Sequence, residues 1–138
     1  MNWRWNFLEK LRFDYEGELL NRRGRGSFYE DVCVEYLCEN GFTIIKRNYR
    51  CKLGEIDIVA MKDNIIRFIE VKFRSSGSYG SALEAVDFRK QRRIMRAASW
   101  FLNEYGLNDV QCSFDVMTVE NNEARYYFNC YGGISVSY

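Results

Sequence analysis

Between Gly54 and Arg74, two apolar, β-branched runs flank a single polar pair, Asp63-Asn64. A strand, a two-residue turn and a second strand account for that pattern. Such a turn sets Lys62 against Ile65 and fixes the register beyond it. Met61 then faces Ile66, Val59 faces Phe68, Asp57 faces Glu70 and Glu55 faces Lys72. Side chains alternate along a strand, so these residues share one face of the hairpin.

The chemistry of that face is uneven. It is apolar at the turn and carries three acids and a lysine at the open end. Opposed residues have Cβ atoms about 4.5–5.5 Å apart, and like charges so placed destabilise a sheet. A divalent cation between Asp57 and Glu70 converts that repulsion into ligation, since Mg²⁺ takes one or two carboxylates together with water and phosphate oxygens. Lys72 stands one step away, within reach of a phosphate or a nucleophilic water. The competing reading is a solvated face on which Lys72 neutralises one acid. The flanking Ile56, Ile58, Val59, Phe68, Ile69 and Val71 favour a buried central hairpin instead.

The chain has 138 residues, 47% of them apolar, enough for one domain with a core of its own. Its net charge is +1, so no global field announces a partner. Histidine is absent, which excludes histidine acid–base chemistry, Ser-His-Asp triads and zinc sites built on histidine. The five cysteines (Cys33, Cys38, Cys51, Cys112 and Cys130) include no CxxC pair and are odd in number. They read as reduced core thiols of a cytoplasmic protein. No stretch approaches the roughly 20 apolar residues of a membrane span.

Residues 1–25 form an arm in which aromatics (Trp3, Trp5, Phe7, Phe13, Tyr15) lie beside Arg4, Lys10 and Arg12. Packing on the body or on a second copy is favoured there over stacking on nucleic acid. A domain then occupies 26–138. Its first helix runs from about Ser27 to Asn40, with Ser27 and Glu30 forming a capping box and Gly41 stopping it. The apolar stripe centres on Cys33, Tyr36 and Leu37, which turns Asp31, Glu35 and Glu39 toward solvent. Glu30 lies at the stripe's flank, where it serves equally well as a cap or as a third carboxylate for the hairpin site. Thr43–Tyr49 reads as a strand, and Ser75–Ser81 as a loop beside the acidic site.

A second helix spans roughly Asp87 to Tyr105 and ends at Gly106, burying Ile94, Ala98, Phe101 and Tyr105. Arg89, Lys90, Arg92, Arg93 and Arg96 give it a dense basic face. With Lys46, Arg47, Arg50, Lys52 and Arg74 they make the local positive field that a phosphate backbone requires. Ser113–Glu120 and Ala124–Cys130 complete a second strand pair around Asn121-Asn122. Asp115 inside it reads as a hydrogen-bonded structural acid. The order helix, three strands, helix, two strands predicts an α/β sandwich with a mixed sheet, the long helix crossing between non-adjacent strands. No P-loop and no GxGxxG is present.

Asp57 followed by Glu70-Val71-Lys72 resembles the D…(D/E)-x-K signature of restriction-endonuclease-like nucleases, and the αβββαβ order matches their core. Over residues 24–120 the resemblance narrows. Glu30, Gly41-Phe42, Arg47-Asn48-Tyr49-Arg50, Gly54-Glu55-Ile56-Asp57, Glu70-Val71-Lys72-Phe73-Arg74, Tyr79-Gly80, Glu84-Ala85-Val86 and Lys90 recur in order. Together they are similar to the YraN-like family of small bacterial proteins, itself similar to Holliday-junction resolvases.

The resemblance implies that Glu30, Asp57 and Glu70 are metal-site carboxylates, that Lys72 is the catalytic lysine, and that Glu55 is a motif member of open role. An arginine common before the phenylalanine in the family is replaced here by Ser113. The expectation is a Mg²⁺- or Mn²⁺-dependent endonuclease acting on DNA, selecting branched or flexible structure rather than sequence. Its backbone contacts would come from Arg74, Arg89, Lys90, Arg92, Arg93 and Arg96, and the arm would offer a dimer contact. The alternative is a catalytically silent nuclease-fold module that binds branched DNA or a protein partner.

Overall fold

The computed structural model describes residues 28–73, 86–107, 109–120 and 123–132. The arm of residues 1–25, the loop Ser75–Ser81, Arg74 and the Asn121-Asn122 turn lie outside them. The elements are α1 (Phe28–Glu39), β1 (Thr43–Cys51), β2 (Gly54–Lys62), β3 (Ile65–Phe73), α2 (Phe88–Glu104), β4 (Gln111–Glu120) and β5 (Glu123–Tyr131). The strands form one mixed sheet in chain order, antiparallel except for the parallel pair β3–β4. This is the predicted α/β sandwich with one correction: α2 links strands that are neighbours. A parallel connection needs a long crossover whether or not another strand intervenes, and the helix supplies it.

Both helices end as their glycines predict. Gly41 and Gly106 take positive φ (82° and 65°). Phe42 N–H then closes on Leu37 O at 2.9 Å and Leu107 N–H on Leu102 O at 2.8 Å, the six-to-one bond of a Schellman stop. Asp87 caps α2, its carboxylate accepting from Lys90 N–H at 2.9 Å. The hairpin turn is also as read. Asp63 and Asn64 both adopt left-handed φ (55° and 62°), which matches the twist of the flanking strands. Lys62 pairs with Ile65, Met61 with Ile66 and Val59 with Phe68.

The sheet separates two apolar clusters. Cys33 and Leu37 of α1 cover Ile44, Ile58, Ala60, Ile69, Met117 and Val119. Ile94, Ala98 and Phe101 of α2 cover Ile45, Tyr49, Ile56, Val59, Phe68 and Phe114 on the other face. Ile56 and Ile58 are two residues apart yet belong to opposite faces, so the alternation of β2 breaks between them. The same break occurs on β1. Arg47 pairs with Ile58 and Tyr49 with Ile56; Arg47 reaches α1, whereas Tyr49 packs against α2. The intervening position on β1 is Asn48, held at φ 49°, and on β2 it is Asp57. Asparagine is among the few side chains that tolerate this backbone. Gly54, where β2 begins, lies close under α2: a Cβ there would meet the Arg93 carbonyl oxygen at 3.1 Å.

None of the five cysteines is in a disulfide, but only Cys33 is buried and Cys38 is exposed. The expectation of five core thiols is corrected accordingly, because Cys38 falls on the outer side of α1. Among the described residues no helix is long and apolar enough to cross a membrane.

Candidate functional site

The break at Asn48 and Asp57 puts a carboxylate where the β2–β3 ladder ends. The last pair of that ladder is Ile58 with Ile69. Beyond it, Asp57 Oδ2 accepts from Val71 N–H at 2.8 Å, so a side chain replaces the backbone carbonyl that would continue the sheet. Glu70 stands beside it, buried to 4% exposure. Burial and the Glu70 charge push the Asp57 carboxyl from 3.8 up to about 7, against the opposing pull of Val71 N–H. Glu70 lies within hydrogen-bond reach of that carboxyl, and a like charge so close disfavours the ionised form of Asp57.

Two lysines complete the cluster. Lys72 Nζ lies 3.6 Å from Glu70 Oε1. Lys90, from the first turn of α2, makes a closer ion pair with the same oxygen. Burial, and then the Lys90 ammonium beside it, lower the Lys72 pKa. Burial alone would lower Lys90 as well, but its bond to Glu70 outweighs that and its pKa is raised. One lysine is thus held charged as a counter-ion and the other is eased toward a neutral amine, the form that accepts a proton. The Asp87 cap fixes the turn that carries Lys90.

Glu30 approaches the cluster from α1. Its Oε2 accepts from Arg47 Nη2 at 3.4 Å and from Asn48 Nδ2 at 3.3 Å. Arg47 also donates to Asp31 Oδ1 at 3.0 Å. Cys33 lies between the acids: burial, then the charges of Asp57 and Glu30, push its thiol up to about 12, which leaves it inert. Asn48 therefore ties the third carboxylate to the strand break. The only sequence signal for it was its place in the Arg47-Asn48-Tyr49-Arg50 motif.

Several expected site residues stand elsewhere. Glu55 does not face Lys72: it pairs across the sheet with Arg50, and their side chains meet at 3.3 Å, both well exposed. The break two residues later, at Asp57, removes it from the acidic face. Arg47 is 7% exposed and committed to α1, so it adds nothing to an outer basic surface. Lys90, read as a backbone contact, belongs to the carboxylate cluster. Arg89, Arg92, Arg93 and Arg96 are exposed along α2, as the basic-face reading requires. Arg74 lies outside the described residues. Asp115 is the structural acid expected: fully buried, it accepts from Tyr126 Oη, from Ser113 Oγ at 3.1 Å and from Asn129 N–H at 2.8 Å. Beside Ser113, where the resemblance leads one to expect an arginine, stands a buried arginine of the neighbouring strand. Arg67 pairs directly with Ser113 and donates to its Oγ at 3.3 Å.

Hard oxygen donors, desolvated and mutually repelling, suit Mg²⁺ or Mn²⁺. Asp57 and Glu70 provide two. Among the described residues no group of three or more His, Cys, Asp or Glu is close enough to hold a metal ion. The fit is therefore to an ion held by two carboxylates with water or phosphate completing its shell, while Glu30 bonds to Asn48 and Arg47.

The model of the family described as "Uncharacterised protein family UPF0102" matches residues 29–119. A UPF0102 protein from Moorella thermoacetica is 46% identical over 100 residues, covering 72% of this chain and 83% of its own. One from Clostridioides difficile is 41% identical over 106 residues, covering 77% and 93%. Another, from Clostridium perfringens, is 45% identical over 94 residues, covering 68% and 77%. The matched region includes Glu30, Asp57, Glu70, Lys72 and Lys90.

Proposed function

The chain belongs to the uncharacterised protein family UPF0102, and from that premise we propose that it is a divalent-metal-dependent endonuclease acting on DNA. The observation that carries this reading is the carboxylate pair. Asp57 abandons the regular ladder to lie against buried Glu70, and a fold gains nothing from that repulsion unless a cation relieves it. Mg²⁺ or Mn²⁺ bound there supplies Lewis-acid activation of water and stabilisation of charge on a phosphoryl oxygen. The residues of the chain do the rest. Asp57 and Glu70 orient the ion, with Val71 N–H holding the Asp57 carboxylate in place. Lys72, its pKa lowered, takes a proton from the attacking water or donates to the phosphate. Lys90 balances the Glu70 charge while no cation is bound. The exposed arginines of α2 hold the backbone by a contact that is indifferent to sequence and weakened by salt.

One observation favours a second reading. The Lys90–Glu70 ion pair already neutralises one acid, as a catalytically silent DNA-binding module would need. Cleavage of a labelled panel (four-way junction, flap, single strand and duplex) in Mg²⁺, Mn²⁺ or EDTA, with wild type and Asp57→Asn side by side, decides between them. Cleavage that requires metal and falls at least about a thousandfold in the variant is expected, the scale of losing a principal electrostatic group. Equal cleavage by both proteins removes the proposed site. DNA binding without cleavage by either supports the silent module.

A further inference from the structure

Helix α2 carries a row of exposed side chains distinct from the carboxylate cluster. Phe88, Arg92, Arg96 and Trp100 follow at four-residue intervals, and all of them are exposed. Residues so spaced are neighbours on a helix surface, and at 1.5 Å per residue the row is about 18 Å long. An aromatic ring closes each end. Phe88 is 70% exposed. A cation lies over each ring: Arg92 Cζ at 5.8 Å from the Phe88 centroid and Lys52 Nζ at 4.6 Å from the Trp100 ring. From Phe88 to Asn103 the helix has five cations and no acid. The acids at its two ends are occupied, Asp87 by Lys90 N–H and Glu104 by the Tyr49 hydroxyl.

This combination narrows the partner. A surface meant only for phosphates needs the arginines and gains nothing from two large exposed rings. A protein partner with an apolar patch would be ill matched to four exposed arginines. Unpaired nucleotides offer what the row lacks: phosphates for Arg92 and Arg96 and free base faces for Phe88 and Trp100. A duplex keeps its base faces within its own stack and can use the arginines alone.

We propose that the Phe88–Arg92–Arg96–Trp100 row is a stacking platform for single-stranded DNA, beginning at the end of α2 where Lys90 meets Glu70. The substrate class of the proposed nuclease would then be DNA with an unpaired segment beside the cut. What the platform delivers rests on the nuclease reading above; the binding itself does not.

The test uses the full chain in EDTA, so that no cleavage enters. Fluorescence anisotropy gives the affinity for a labelled 12-nucleotide thymidine strand, for the same strand with abasic sites, and for a duplex of that length. The thymidine strand should bind about tenfold or more tighter than the abasic strand. Phe88→Ala and Trp100→Ala should each lose about tenfold of that advantage and leave the duplex affinity unchanged. Trp100→Phe should recover most of the loss, which a folding defect would not allow. Arg92→Gln and Arg96→Gln should each lower the salt slope by about 0.7 and keep the ratio of thymidine to abasic binding. Equal binding of the thymidine and abasic strands overturns the platform. So does a ring substitution that weakens duplex and single strand alike, or a Trp100→Phe variant as weak as Trp100→Ala. If panel cleavage fails while base-dependent binding persists, the nuclease reading falls and the platform stands.

Discussion

In EDTA at pH 8, Asp57→Asn is expected to melt above the wild type, although in Mg²⁺ it loses the proposed cleavage. Burial and the neighbouring Glu70 carboxylate carry Asp57 from 3.8 up to about 7. A carboxyl whose folded pKa exceeds its unfolded value stabilises the fold while it is protonated. That contribution is complete below about pH 4 and is lost as pH rises through about 7. At pH 8 the native state holds a charge that it disfavours relative to the unfolded chain. With about 1.4 kcal/mol for each tenfold change in acidity, the penalty is on the order of 4 kcal/mol. The amide of asparagine keeps an oxygen for Val71 N–H, whose bond to Asp57 is 2.8 Å, and removes the repulsion. It also loses the proton-sharing contact with Glu70, so a net gain of about 2 kcal/mol, roughly 4–8 °C in melting temperature, is the expected scale. The gain should nearly vanish at pH 5, where wild-type Asp57 is already neutral. Scanning calorimetry at the two pH values reads both effects. Mg²⁺ should raise the melting point of the wild type and not of the variant, because a ligand stabilises only the state that binds it. Identical melting points at pH 8 would show that Asp57 is not held against its neighbour.

A residue that weakens its own fold is retained for what it does. The sequence-level form of that statement is the opposition of Asp57 and Glu70, which was legible because Asp63-Asn64 admits one tight turn and one register. The break at Asn48 was not legible. Pattern reasoning assumes strict alternation, and nothing in Arg47-Asn48-Tyr49 announces a left-handed residue within a strand. That one residue explains two misplacements. It directs Arg47 to α1 and Tyr49 to α2, and together with Asp57 it takes Glu55 off the acidic face to join Arg50. Lys90 was hidden for a different reason. On a helical wheel it is one of five similar cations, and only the packing of α2 on β2 under Gly54 separates it from the others. The basic face was therefore readable as a composition, while its division into a counter-ion and an outer row was not.

The largest loss of stability is expected from Asp115→Ala. Asp115 sits at an irregularity between β4 and β5: Phe114 pairs with Tyr131 and Val116 with Tyr127, so three residues of β5 span one of β4. Asn129 takes φ 53° inside that excursion, and its N–H is satisfied by Asp115 Oδ1 at 2.8 Å. Tyr126 Oη and Ser113 Oγ donate to the other oxygen. Arg67, 6% exposed, has Nη1 3.9 Å from that oxygen and its guanidinium over the Phe128 ring at 4.6 Å. Removing the carboxylate leaves an uncompensated buried guanidinium and several donors without acceptors. Breaking a buried pair from one side costs about 3–5 kcal/mol, a large share of the roughly 5–15 kcal/mol that holds a domain together. Removing both charges is far milder. Arg67→Met combined with Asp115→Asn should therefore recover about half of the loss or more, whereas additive losses in urea denaturation would reduce the pair to two independent packing residues. Burial raises the Asp115 pKa in spite of its donors, so this acid too favours the fold less as pH rises. The pH dependence of the metal-free protein should accordingly be shallower in Asp57→Asn but not flat. The two buried acids differ in what answers them. Asp115 is surrounded by donors from three strands and holds the sheet's edge together, while Asp57 is set against another acid and calls for a cation.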